Sequence, residues 1–172
     1  MMKATGRLLH VKRLVSFFMV LSTLIGVSLS FGIDSYAALP TGKAAMIGGD
    51  ANTNKIKGYF TGRRDLNNWE YATLGSKSEG VYLEKEPGTI SYYKIRSANP
   101  IFKDYNYFTV SNRGYIYLSK KSDAASFMIS EQETGLSNVY HNGSPVNTYG
   151  DYITVGKATG SDKTIWLFMS QT

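Results

Sequence analysis

No stretch of residues 38–172 can lay an apolar stripe along a helix, because Gly, Asn, Ser or Thr interrupts every window of helical period. Between the interruptions stand Tyr, Val, Ile, Phe and Thr, residues that suit short strands joined by turns. Three segments share one pattern: Tyr71-Ala-Thr-Leu74, Tyr107-Phe-Thr-Val110 and Tyr152-Ile-Thr-Val155. Each alternates with period two, so Ala72/Leu74, Phe108/Val110 and Ile153/Val155 are expected to face a core. The tyrosines and threonines are then expected outside. An all-β chain follows.

What comes before this region is of another kind. Residues 1–13 carry Lys3, Arg7, Lys12 and Arg13 without an acid, and the 20 residues Leu14–Ile33 carry no charge. Ser35 and Ala37 then place small residues before Ala38. A positive segment, an apolar segment and a small-residue site form a secretory signal, so residues 1–37 are read as cleaved. A retained membrane anchor is the alternative, since the apolar run could just span a bilayer. Cleavage leaves 135 of the 172 residues and lowers the net charge from +6 to +3, because four basic residues and Asp34 depart. The expected product is secreted, bacterial in the style of its signal, and folded without disulfides, because it has no cysteine.

The alternation continues after two of the copies. Gly80-Val-Tyr-Leu83 follows the first, and Gly114-Tyr-Ile-Tyr-Leu118 follows the second. Third elements are Ser91-Tyr-Tyr-Lys-Ile95 and Ser126-Phe-Met-Ile129, and the last copy runs on to Ile165-Trp-Leu-Phe-Met169. The copies start 36 and 45 residues apart, in the range of repeat architectures. This pattern resembles the β-trefoil superfamily, above all over Tyr107–Ile129, which is similar to lectin-like, arabinose-binding and fascin-like repeats. The resemblance implies three four-stranded units forming a short barrel capped by hairpins. The units are expected at about 59–98, 99–138 and 139–172 of a single domain spanning 38–172. The Gln-x-Trp signature of ricin-type lectins is absent, so no sugar-binding residue transfers. An antiparallel β-sandwich is the alternative fold.

Catalytic constellations are thin. His141 is the one histidine after residue 37, within Tyr-His-Asn-Gly-Ser-Pro145, and a triad with Ser144 and Asp151 lacks any nucleophile elbow. Glu84 and Glu86 have the i, i+2 spacing that places two carboxylates on one strand face, as a glycosidase needs. They lie in a charged turn, so no catalytic residue is assigned. Asp50-Ala-Asn52-Thr-Asn54 imitates the start of a calcium loop, yet Lys55 stands where glycine is required, and no metal or cofactor is expected. Arg63-Arg64 and Lys120-Lys121 are only doublets, which argues against a nucleic-acid partner.

Tyrosine is the positive signal. Twelve Tyr, five Phe and two Trp fall within 38–172, and Tyr71, Tyr82, Tyr107, Tyr115, Tyr117 and Tyr152 occupy the strand phase opposite the core. An amphipathic ring with a polar tip gives contact area at low entropic cost. These six are the expected ligand-binding residues of a secreted, monomeric, non-enzymatic binding protein. Its expected partner is an extracellular glycan or protein, carbohydrate first, with no stable membrane insertion once the signal is gone. A hydrolase inhibitor or a toxin-type antimicrobial acting through a loop such as 131–151 is the alternative, and a glycosidase the third.

Overall fold

The computed structural model describes residues 38–172 except 54, 66, 67, 133, 157–162 and 172. The signal segment therefore lies outside the described residues, as does Asn54.

Among the described residues twelve strands form one antiparallel sheet. They are β1 (Ala44–Asp50), β2 (Ile56–Arg64), β3 (Glu70–Gly75), β4 (Val81–Lys85), β5 (Tyr92–Ser97) and β6 (Tyr107–Val110). After these come β7 (Ile116–Ser119), β8 (Phe127–Glu131), β9 (Ser137–His141), β10 (Ser144–Tyr149), β11 (Tyr152–Val155) and β12 (Thr164–Ser170). One turn of 3-10 helix, Lys121–Asp123, interrupts them. Six strands pair in a closed circuit: β1 with β4, β4 with β5, β5 with β8, β8 with β9, β9 with β12, and β12 with β1. The other six form the hairpins β2–β3, β6–β7 and β10–β11. The hairpins also meet one another, through Tyr71 opposite Tyr117, Tyr152 opposite Thr73 and a bridge between Tyr115 and Thr154. A sheet closed in this way exposes few unpaired edges.

The pairing corrects the β-trefoil expectation as it was drawn from the three Tyr-x-Thr-apolar segments. Those segments are not equivalent: β3 and β11 are the returning strands of their hairpins, whereas β6 is an outgoing one. What the chain builds is a closed antiparallel barrel whose threefold order lies in the pairing, as barrel strand, hairpin and barrel strand over 44–85, 92–131 and 137–170. The lectin-like resemblance, which rested on those copies, falls with their equivalence. The β-sandwich fails because the strands close a single circuit instead of forming two stacked sheets.

Period-two alternation fills the interior. Met46, Val81, Ile95, Phe127, Val139 and Trp166 point inward from the six circuit strands, and Phe60, Ala72, Phe108, Ile116, Val146 and Ile153 from the hairpins. Leu74, Val110 and Val155 pack against this cluster, as their spacing requires. Phe108 sits at the junction, its ring centroid 5.0 Å from Phe60 and 6.3 Å from Phe127. The indole of Trp166 is fully buried, and its Nε1–H donates to the Val146 carbonyl at 2.9 Å. The threonines correct the outward assignment. Thr73, Thr109 and Thr154 are buried, because one hairpin's outer face is covered by the next hairpin or loop.

β1 pairs with β12 over seven consecutive positions and with β2 on its other side. Gly48 makes this possible: a Cβ there would stand 2.7 Å from Leu74 Cδ1 and 3.3 Å from the Trp166 ring. The pairing register with β2 also shifts between Gly48 and Gly49.

Truncating Phe108 to alanine should cost about 3–5 kcal/mol, the usual loss for a buried aromatic at a close-packed junction. Chemical denaturation reads it directly: the midpoint should fall with an unchanged slope.

Candidate functional site

The three hairpins bring tyrosines together. Tyr71 is the second residue of β3, Tyr115 precedes β7 and Tyr152 begins β11, each just after a hairpin turn. Their rings pack in a cycle, with centroids 6.3 Å (Tyr71–Tyr115), 5.8 Å (Tyr71–Tyr152) and 5.4 Å (Tyr115–Tyr152) apart. Interplanar angles of 87°, 86° and 81° make all three contacts edge-to-face, the arrangement that sets a positive ring edge against a negative ring face. Tyr117 extends the group, and Trp69 stands edge-on to it at 4.8 Å.

These rings line a depression of about 510 Å³ together with Asp65, Ser111, Asn112 and Arg113. The four tyrosines are half-buried, and Trp69 is 48% exposed. The Tyr152 hydroxyl donates to Asp65 Oδ2 at 2.5 Å. That bond raises the phenol's pKa, while the neighbouring Arg63 opposes the shift. Arg63 itself lies over the Tyr152 ring, its Cζ 4.6 Å from the centroid, and reaches Asp151 at 3.5 Å. Burial raises the Tyr117 pKa, with Asp123 and Tyr71 adding to it. The result is a concave aromatic surface with a carboxylate and a guanidinium among its lining groups. Such a surface can hold an amphipathic ligand by its apolar face and orient it by a few polar contacts.

The other two expected tyrosines lie elsewhere. Tyr107 is buried, and its hydroxyl donates to both carboxylate oxygens of Glu84 at 3.0 Å. Tyr82 lies beneath the Arg96 guanidinium, 4.2 Å from its Cζ. Both serve a second group in which Arg96 Nε reaches Glu84 at 2.8 Å and Lys121 Nζ reaches it at 3.4 Å. Burial pushes the Glu84 carboxyl up, but the bonds from Arg96, Tyr107 and Lys121 outweigh it and hold the pKa below the usual range. A carboxylate so held is a poor general acid. Glu86, its expected partner, accepts from the Ser126 hydroxyl at 2.7 Å.

The remaining constellations are occupied in other ways. His141 Nδ1–H donates to the Ser126 carbonyl at 2.9 Å and Nε2 accepts from Asn142 at 3.1 Å, so neither nitrogen serves Ser144. Asp50 Oδ1 accepts from the backbone of Asn52 at 2.7 Å and Thr53 at 3.0 Å, the bonds of a polar turn. Among the described residues no group of three or more His, Cys, Asp or Glu could hold a metal ion.

One group escaped sequence reasoning altogether. Glu70, between Trp69 and Tyr71, is 1% exposed. Its Oε2 accepts from the Ile101 N–H at 2.8 Å, which ties loop 98–106 to β3, and its Oε1 has no hydrogen-bond partner. Glu79 lies nearby, accepting the Gly62 N–H at 2.8 Å, and a Cβ on Gly62 would collide with Glu70 Oε1. Burial raises the Glu70 pKa to about 7, bonds from the Ile101 and Phe102 amides oppose this, and the Glu79 charge adds to it. The available signal was the alternation of β3 itself, which puts Glu70 in phase with Ala72 and Leu74.

A carboxyl whose pKa rises on folding keeps its proton longer in the folded state. The stability it lends is complete below the unfolded value of 4.5 and is lost as pH climbs towards about 7. Denaturation at pH 5 and pH 8 should therefore show greater stability at the lower pH, and Glu70→Gln should flatten that difference.

No family model and no curated relative matches the chain. Solved structures do. The lysenin pore superimposes with a TM-score of 0.57 at 17% identity, covering 78% of this chain and 48% of that one. A complex of lysenin with phosphocholine follows at 0.56 and 17%, covering 78% and 46%. A salivary protein from Culex quinquefasciatus, of the Cysteins and Tryptophan-Rich family, matches at 0.57 and 17%, covering 78% and 96%. This chain thus spans less than half the length of the lysenin chains it matches. At such identities the likeness is one of fold.

Proposed function

We propose that the protein is a secreted, non-enzymatic effector that recognises an extracellular ligand through the tyrosine-lined depression between its three hairpins. The observation that carries this reading is convergence: Tyr71, Tyr115, Tyr117 and Tyr152 come from three separate hairpins to one concave surface. Edge-to-face packing fixes their rings before any ligand arrives, which lowers the entropic cost of binding. The role of lysenin as a pore-former and of the Culex protein as a salivary component supports an effector acting outside the cell that makes it.

The first ligand class is a carbohydrate. A sugar ring offers CH groups to an aromatic face and hydroxyls to polar groups at its edge, and here Arg113 would favour an acidic sugar. A second class, a phosphocholine headgroup, is favoured by one specific contact. Arg63 rests on the face of Tyr152, and a quaternary ammonium would make the same kind of contact with a tyrosine face of the depression. Phosphocholine is also the ligand in one lysenin complex.

A glycan array and titration calorimetry with phosphocholine separate the two. Whichever ligand binds, Tyr115→Ala should weaken it roughly tenfold or more, as expected for losing a central aromatic anchor. Tyr82→Ala should leave binding unchanged. Equal binding by wild type and Tyr115→Ala would refute the assignment of the site.

A further inference from the structure

A second surface lies beside the depression. Trp69, Ile101 and Tyr105 are large apolar or aromatic residues exposed by 48%, 49% and 42%. Trp69 immediately precedes β3, and Ile101 and Tyr105 stand in the loop 98–106, which the adjoining Glu70 holds through the Ile101 amide. The loop is folded on itself, the Tyr105 N–H donating to the Phe102 carbonyl at 2.9 Å. Cations flank the rings. Arg64 lies 5.7 Å over Phe102, Lys120 lies 5.5 Å over Tyr105, and Lys103 stands between the two aromatics in the chain. Asp104 is the acid within the loop, and Asp65 on the neighbouring turn accepts the Tyr152 hydroxyl.

We infer that Trp69, Ile101 and Tyr105, flanked by Arg64, Lys103 and Lys120, form a docking surface for an anionic phospholipid bilayer. Trp and Tyr favour the boundary between headgroups and acyl chains, and an exposed isoleucine gains by leaving water there. A soluble partner would be served equally well by the rings, but the cations decide in favour of lipid phosphates and anionic headgroups. Arg64 and Lys120 lie over the rings of Phe102 and Tyr105, Arg64 also donates to Asn68 Oδ1, and Lys103 and Lys120 are exposed to meet the phosphate layer. Docking of this kind is peripheral, at the depth of a few side chains, and needs no strand or helix to cross the bilayer. It rests on the cations and loop residues outside the depression, which Trp69 also lines, and on lipid charge instead of the phosphocholine headgroup.

The two tryptophans make the inference testable. Trp166 is fully buried whereas Trp69 is half exposed, so a change of emission on adding vesicles reports on Trp69. Mixed phosphatidylcholine–phosphatidylserine vesicles should shift the emission to the blue and sediment the protein. Phosphatidylcholine vesicles alone should do so at least about tenfold more weakly, given the electrostatic share of interfacial binding. Ile101→Asn should weaken binding to the mixed vesicles by a similar factor, Lys103→Glu with Lys120→Glu should remove the preference for the anionic lipid, and Trp69→Phe should abolish the spectral shift. Tyr115→Ala should keep the wild type's gain in binding when phosphatidylserine is added, because any phosphocholine bound in the depression is common to both vesicle types, and this separates the surface from the depression. If the wild type gives neither shift nor sedimentation, or binds both vesicle types alike, the inference is wrong. The paired lysine variants change only exposed side chains, so a folding defect in Ile101→Asn would leave the lipid preference still to be measured on them.

Discussion

Everything in this molecule depends on the closure of its sheet. Without cysteine the barrel has no covalent staple, so backbone pairing and apolar burial must hold it. The seam is β1 against β12, seven residues in unbroken register, joining the first strand to the last. β1 also contacts β2 and β4, so one segment of small and apolar residues touches both the barrel circuit and a hairpin. That segment can sit so centrally because Gly48 leaves room for Leu74 and Trp166. The tyrosine surface exists only because closure brings three hairpins, distant in sequence, to meet one another.

The strands were legible because their signal is local. Alternation at 71–74, 107–110 and 152–155 places the inward residues correctly, and a pattern of period two needs no knowledge of neighbours. Equivalence between strands is not local. Tyr71, Tyr107 and Tyr152 head similar tetrapeptides, yet β6 runs out along its hairpin while β3 and β11 return. Pairing partners, set by chain connectivity, decide which resemblance counts. β1 was the most opaque element, since Ala-Ala-Met-Ile-Gly-Gly-Asp has little of the β-branched character that marks a strand. Its strand state comes from its partners on either side.

The same distinction governs the site. An outward phase was assigned to six tyrosines, but what lies over an outward face is a question of tertiary structure. For Tyr71, Tyr115, Tyr117 and Tyr152 the neighbours are other rings and solvent, with Asp65 and Arg63 against Tyr152. For Tyr107 the neighbours are Glu84 and Lys121, and burial follows. Glu84 and Glu86 share a strand face on paper, yet one is drawn into an ion-pair group with Arg96 and the other bonds Ser126. Two carboxylates at the right spacing become catalytic only if their surroundings push their pKa values apart in the useful direction. Here the bonds from Arg96, Tyr107 and Lys121 draw Glu84 the other way.

Glu70 shows what such a surface costs. A buried carboxyl with one oxygen unsatisfied is a destabilising element, and an apolar residue in phase with Ala72 would pack there without it. In exchange, its other oxygen holds the Ile101 amide and thereby fixes loop 98–106 against the strand that carries Trp69 and Tyr71. The loop has no regular structure of its own, and its turn between Phe102 and Tyr105 does not specify where it lies on the barrel. A single hydrogen bond from the interior supplies that position. The exposed rings of the loop and the half-buried tyrosines of the depression are thus held in one frame by a residue that touches no ligand.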